Sequence, residues 1–104
     1  MEYAGKEEHG ISLAEAAKMT KAHRSAAAPG DVNAHYVGRE AVEALLKQPG
    51  CVGLRFYHAQ HPKGHHTLVA VGVDKAGSDL HQGPICEQFH PCPPYCSAAN
   101  PLNS

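Results

Sequence analysis

Two kinds of hydrophobic spacing divide the chain. From Leu13 to Ala26 small and apolar residues recur on a helical period, mostly as alanine, the strongest helix former (Ala14, Ala16, Ala17, Ala22, Ala26). Ser12, followed three residues later by Glu15, is a capping box, in which each side chain satisfies an otherwise unpaired helix donor. Pro29-Gly30 stops the helix. Its apolar face is thin: Leu13, Ala17, and Met19 or Thr20. A second helical stretch, with Val42, Leu45 and Leu46 at i, i+3 and i+4, predicts a helix from Arg39 to Lys47. Lys47 suits its negative end, and Pro49-Gly50 closes it.

The period then drops to two. Along residues 51–59, Val52, Leu54, Phe56 and His58 alternate with Cys51, Gly53, Arg55 and Tyr57, which predicts a half-buried strand. Residues 67–73 form a continuous valine-rich run, the mark of a strand covered on both faces. The punctuation between them, Gln60-His-Pro-Lys-Gly-His65, joins the two as an antiparallel hairpin. A lone hairpin is marginal in water. The missing cover is a third strand from 31–37, the C-terminal tail folding back, or a second copy of the chain. The fold class expected is α+β: two helices packed on a small antiparallel sheet. Residues 1–10 form a polar lead-in, 11–82 the domain, and 83–104 a Cys/Pro-rich tail packed on it.

Composition narrows the function. With 104 residues, no Trp and two Phe, the chain makes one domain with a light core, so help from a partner chain, a metal or a disulfide is expected. Nine Lys+Arg stand against ten Asp+Glu without clustering. Nucleic-acid binding, which needs a basic patch to neutralise phosphates, is not expected. No run of about 18 apolar residues is present to span a membrane, and the first ten residues lack the apolar region of a secretory signal. These features predict a cytoplasmic protein. In a reducing compartment clustered cysteines are more often ligands or reactive thiols than staples.

Three of the four cysteines lie in Cys86-Glu-Gln-Phe-His90-Pro-Cys92-Pro-Pro-Tyr-Cys96. Cys86, His90, Cys92 and Cys96 make a Cys₃His set, which suits zinc first and, through its soft thiolates, copper second. Thiolates that share a metal approach within about 4 Å, whereas a straight polyproline segment would hold the Cα atoms of Cys92 and Cys96 roughly 12 Å apart. The Pro-Pro-Tyr segment must therefore turn if the two thiols act together, with Pro94 suited to the first central position of the turn. Cys92 and Cys96, or Cys86 and Cys92, are also candidates for a disulfide or redox couple.

A second set, His58, His61, His65 and His66, surrounds the hairpin turn, where imidazoles suit zinc, copper or nickel. Strand pairing brings His58 towards His66. His35 and Tyr36 precede the second helix and are expected to pack or to touch a ligand at its start. Cys51 is expected in the core, and Arg55 beside a carboxylate such as Glu40 or Glu43. No phosphate-binding glycine loop, serine elbow or H-E-x-x-H helix is present.

From Tyr36 onward, Gly38-Arg-Glu-Ala-Val-Glu-Ala-Leu-Leu, Gln48-Pro-Gly-Cys-Val-Gly-Leu-Arg-Phe-Tyr, Leu68-Val-Ala-Val-Gly-Val-Asp and Pro91-Cys-Pro-Pro-Tyr-Cys-Ser, ending Asn100-Pro-Leu-Asn, resemble a group of small bacterial proteins. The resemblance implies no activity. Cys-Pro-Pro-Tyr-Cys is also similar to the glutaredoxin Cys-Pro-Tyr-Cys with one residue added, although it closes the chain instead of opening a helix.

The expectation from sequence is a non-enzymatic protein, homodimeric through its sheet, whose tail binds zinc through Cys86, His90, Cys92 and Cys96. The alternatives are a thiol–disulfide protein cycling Cys92 and Cys96, and an assembly module with a structural tail.

Overall fold

Both hydrophobic periods fold as their spacing predicts. A computed structural model describes residues 2–104, in the order α1 (Leu13–Ala26), β1 (Ala34–Tyr36), α2 (Arg39–Leu46), β2 (Cys51–Gln60), β3 (His66–Asp74), β4 (Ile85–Cys86) and β5 (His90–Cys92). The fold is α+β with antiparallel sheets. At the start of α1 the Ser12 hydroxyl accepts the Glu15 amide at 3.1 Å, which satisfies one of the open helix donors. Ala27 leaves the helical conformation ahead of Pro29.

β2 and β3 pair in antiparallel register from Cys51 opposite Asp74 to Gln60 opposite His66, with one irregularity between Cys51 and Gly53. The tail supplies the second neighbour of β3, with Ala70 opposite Cys86 and Val71 opposite Ile85. β3 is thus the central strand of three, which accounts for its unbroken apolar run: Ala70, Val71 and Val73 are almost wholly buried. Alternation sends Leu54, Leu68, Ala70 and Cys86 to one face. There they meet Leu45 of α2 and Phe89 of the tail, which with Ala70 form the centre of the core.

Four expectations are corrected by this arrangement. Residues 34–36 do form a strand, but β1 pairs with β5 of the tail, Tyr36 opposite His90 and Ala34 opposite Cys92, and not with the hairpin. Leu46 is 44 % exposed while Leu45 is fully buried; adjacent helical residues point about 100° apart, so only one can face the sheet. Arg55 pairs with Asp79 instead of Glu40 or Glu43, because α2 packs on the opposite face of the sheet. α1 has no buried residue. It is held instead by Arg24, whose guanidinium donates to the backbone oxygens of Leu102 and Ser104, both at 2.7 Å.

An open molecule results. Its accessible surface is 7697 Å², where a compact chain of this size exposes about 5700 Å². The radius of gyration is 15.4 Å against about 13 Å for a compact domain of similar length. Much apolar surface remains uncovered, Met19, Tyr36 and Tyr95 among it.

Candidate functional site

The tail segment that had to turn does turn. The Cα atoms of Cys92 and Cys96 lie 4.9 Å apart and their sulfurs are joined as a disulfide, within the span such bonds require. Two backbone hydrogen bonds hold the loop: the Tyr95 amide donates to the Pro91 carbonyl at 2.9 Å, and the Cys96 amide to Pro94 at 3.1 Å. The Asn33 amide donates to the Cys92 carbonyl at 2.7 Å and so extends the β1–β5 ladder to the base of the loop. Cys92 is half-buried and Cys96 is exposed. Cys96 is therefore the more exposed half of the bond, and Cys92 is anchored in β5.

The pair sits in the wall of an open groove of about 1060 Å³ between α1, β1 and the tail. Met19, Tyr36, Tyr95 and Leu102, each at least 44 % exposed, all line it. Four of the chain's exposed large apolar side chains are thus gathered beside the cysteines. Arg24 is the charged side chain of the lining, the imidazoles of His23 and His35 join it, and no Asp or Glu does. Beyond the cysteines the floor is closed by asparagines that fold the chain on itself. Asn100 accepts the Leu102 amide at 2.8 Å, and the Asn103 side chain accepts the Asn100 amide at 2.8 Å.

The other predicted site residues are distributed around this groove. Cys86 lies on β4 in the three-stranded sheet, whereas His90 and Cys92 stand two apart on β5 and so share a strand face. Cys86 and His90 line a smaller hollow together. The imidazole of His90 lies between two tyrosines, its ring centroid 5.5 Å from Tyr36 and 5.4 Å from Tyr95. Among the described residues no three His, Cys, Asp or Glu side chains converge as metal ligands do.

The hairpin histidines form two stacked pairs, His58 with His66 at 5.4 Å and His61 with His65 at 4.4 Å. His35 joins the first pair edge-on, 5.9 Å from His66. It therefore links the groove to the hairpin, a role that spacing could not reveal because β1 and β3 meet only in the tertiary fold. Its Nε2 is buried without a partner, and desolvation lowers its pKa below the ordinary histidine value, with His66 and His65 nearby. Burial thus favours the neutral form of the His35 imidazole.

A separate polar cluster lies on the sheet face opposite α2. Asp79 accepts from both Tyr57 and Arg55, and these bonds hold its carboxyl below the usual carboxylate range. Arg55 also donates to the Gly77 carbonyl at 3.1 Å, and Tyr3 lies over its guanidinium. Gly77, at φ +84°, is where the Tyr3 ring presses closest; an added Cβ would meet it at 2.5 Å. This cluster fastens the N-terminal segment and the loop after β3 to β2. Cys51 is half-buried, with its thiol donating to the Gly53 carbonyl at 3.3 Å. The Glu87 carboxyl, on the other side of β4, is held below its usual range by the Gln88 amide and by Thr67.

No family model, curated protein or solved structure matches the chain. The functional reading therefore rests on the chemistry of these sites.

Proposed function

We propose that this is a thiol–disulfide protein in which Cys92 and Cys96 are the exchanging pair. One observation carries the reading: the two sulfurs are joined in the wall of an open groove, one exposed and the other anchored in β5. An incoming thiolate attacks Cys96 Sγ, the Cys92–Cys96 bond breaks, and Cys92 leaves as a thiolate. The groove suits that leaving group, because the Arg24 guanidinium lines it and no carboxylate does; a nearby cation favours the thiolate.

The test is alkylation of the reduced protein at mildly acidic pH. One tail thiol of depressed pKa reacts there while Cys51 stays largely unmodified. If Cys92 and Cys96 react no faster than Cys51, the exchange reading fails.

Zinc binding by Cys86, His90, Cys92 and Cys96 is the second reading. It is supported by the shared strand face of His90 and Cys92 and by the hollow that His90 shares with Cys86. Once reduced, Cys92 and Cys96 each offer a thiolate, and metal binding would have to draw them together with His90 and Cys86. Native mass spectrometry of protein purified without chelator separates the two: one bound zinc per chain, lost on denaturation, favours the metal, and a deficit of two hydrogens favours the couple.

A further inference from the structure

The groove beside the couple is wider and more apolar than thiol exchange alone requires. At about 1060 Å³ it reaches past the upper end of ordinary small-molecule pockets, roughly 300–1,000 Å³. Its walls hold Met19, Tyr36, Tyr95 and Leu102 in exposed positions, although such side chains gain about 25 cal/mol for each Å² removed from water. Contiguous apolar surface of this kind on a monomer marks a binding site. The charge is one-sided, since the Arg24 guanidinium lines the groove and no carboxylate does. A small hydrophilic thiol would leave these walls wet.

We propose that the partner in exchange is an extended polypeptide segment with a cysteine flanked by apolar and acidic residues, which lies along the groove between α1 and the β1–β5 ribbon. This rests on the exchange reading of Cys92 and Cys96. The apolar residues of the segment cover the four exposed side chains, and its carboxylates face His23 and Arg24. Its cysteine thiolate meets the exposed Cys96 sulfur. The step conserves electrons: the segment's sulfur bonds to Cys96 and Cys92 is released as a thiolate. Where the segment carries a second cysteine, its thiolate attacks the segment's sulfur in the mixed disulfide and displaces Cys96 as a thiolate, so the segment leaves as a disulfide and the protein as a dithiol.

The experiment compares exchange rates of the oxidised full chain with three thiols: a peptide in which cysteine is flanked by Leu, Phe and Glu, a Gly/Ser peptide with the same cysteine, and reduced glutathione. The products are read by acid-quenched mass spectrometry. The apolar acidic peptide reacts at least tenfold faster than either control, and Met19→Asp brings that ratio towards one. Met19 is 66 % exposed, so this change leaves the fold intact. Equal rates for the three thiols overturn the peptide inference and leave the exchange reading standing. Failure of all three to react overturns both. A dimer in sedimentation that Met19→Asp dissociates assigns the groove to a second copy, and the inference fails.

Discussion

Reduction of the Cys92–Cys96 bond should cost the fold little, and the size of that cost separates an exchanging couple from a structural staple. The bond joins residues only four apart in sequence. In the chain-entropy picture a loop of about five residues gains roughly 2 kcal/mol from closure. Pro93 and Pro94 already restrict the open loop, and each such residue removes about 0.4–1 kcal/mol of unfolded-state freedom. The net contribution of the bond to stability is then about 1 kcal/mol. By the thermodynamic cycle the fold favours the disulfide over the dithiol by the same amount, a displacement of about 20 mV in the couple's potential. Urea unfolding of the oxidised and reduced protein at one pH measures this directly, with a midpoint shift of about 0.3–1 M. Loss of more than about 3 kcal/mol, or cooperative unfolding on reduction, would show that the bond holds the tail in place and would refute the reasoning.

Three further outcomes are expected. Leu45→Ala removes the one large side chain that is fully buried among the described residues and should cost about 3–5 kcal/mol, read as a lowered urea midpoint; a loss below about 1 kcal/mol would mean that the core lies elsewhere. The burial-lowered pKa of His35 makes stability fall as pH drops below about 6.5, where the unfolded histidine takes up its proton first. The loss ends once the lowered folded value is passed, and melts of His35→Gln across this range should lack that slope while His58, His65 and His66 remain. Asp79, lowered from 3.8 by the Tyr57 and Arg55 hydrogen bonds, contributes stability that is present above about pH 4 and lost as pH falls through the lowered value. Asp79→Asn should flatten that acid limb, and an unchanged acid melt would show that the cluster adds nothing.

What could be read from the sequence was what depends on local spacing. The capping box at Ser12, the central position implied by the unbroken run of 67–73, and the need for 92–96 to turn each follow from neighbours within a few residues. The meeting of His58 and His66 followed as well, since strand register brings them to one face. The pairing of β1 with β5 did not, because three residues of strand carry too little pattern to name a partner so far along the chain. Asp79 was missed as the partner of Arg55 for a related reason: the choice between Asp79 and the carboxylates of α2 depends on which sheet face the helix covers. The groove was invisible, since Met19, Tyr36, Tyr95 and Leu102 come from three separate stretches.

The ladder between β1 and β5 has a consequence for the order in which the molecule is made. Residues 34–36 leave the ribosome with no strand to pair, because their partner lies at 90–92. At roughly 5–20 residues per second the intervening fifty-odd residues take about 3–10 s to synthesise. The β2–β3 hairpin, whose strands are close in sequence, forms within microseconds of emerging. The nascent chain thus holds a finished hairpin and a waiting β1 for seconds, and the groove forms only after residues 90–96, with the two cysteines that face it, have emerged. Thiol chemistry that depends on the groove waits until residues 90–92 have paired with β1.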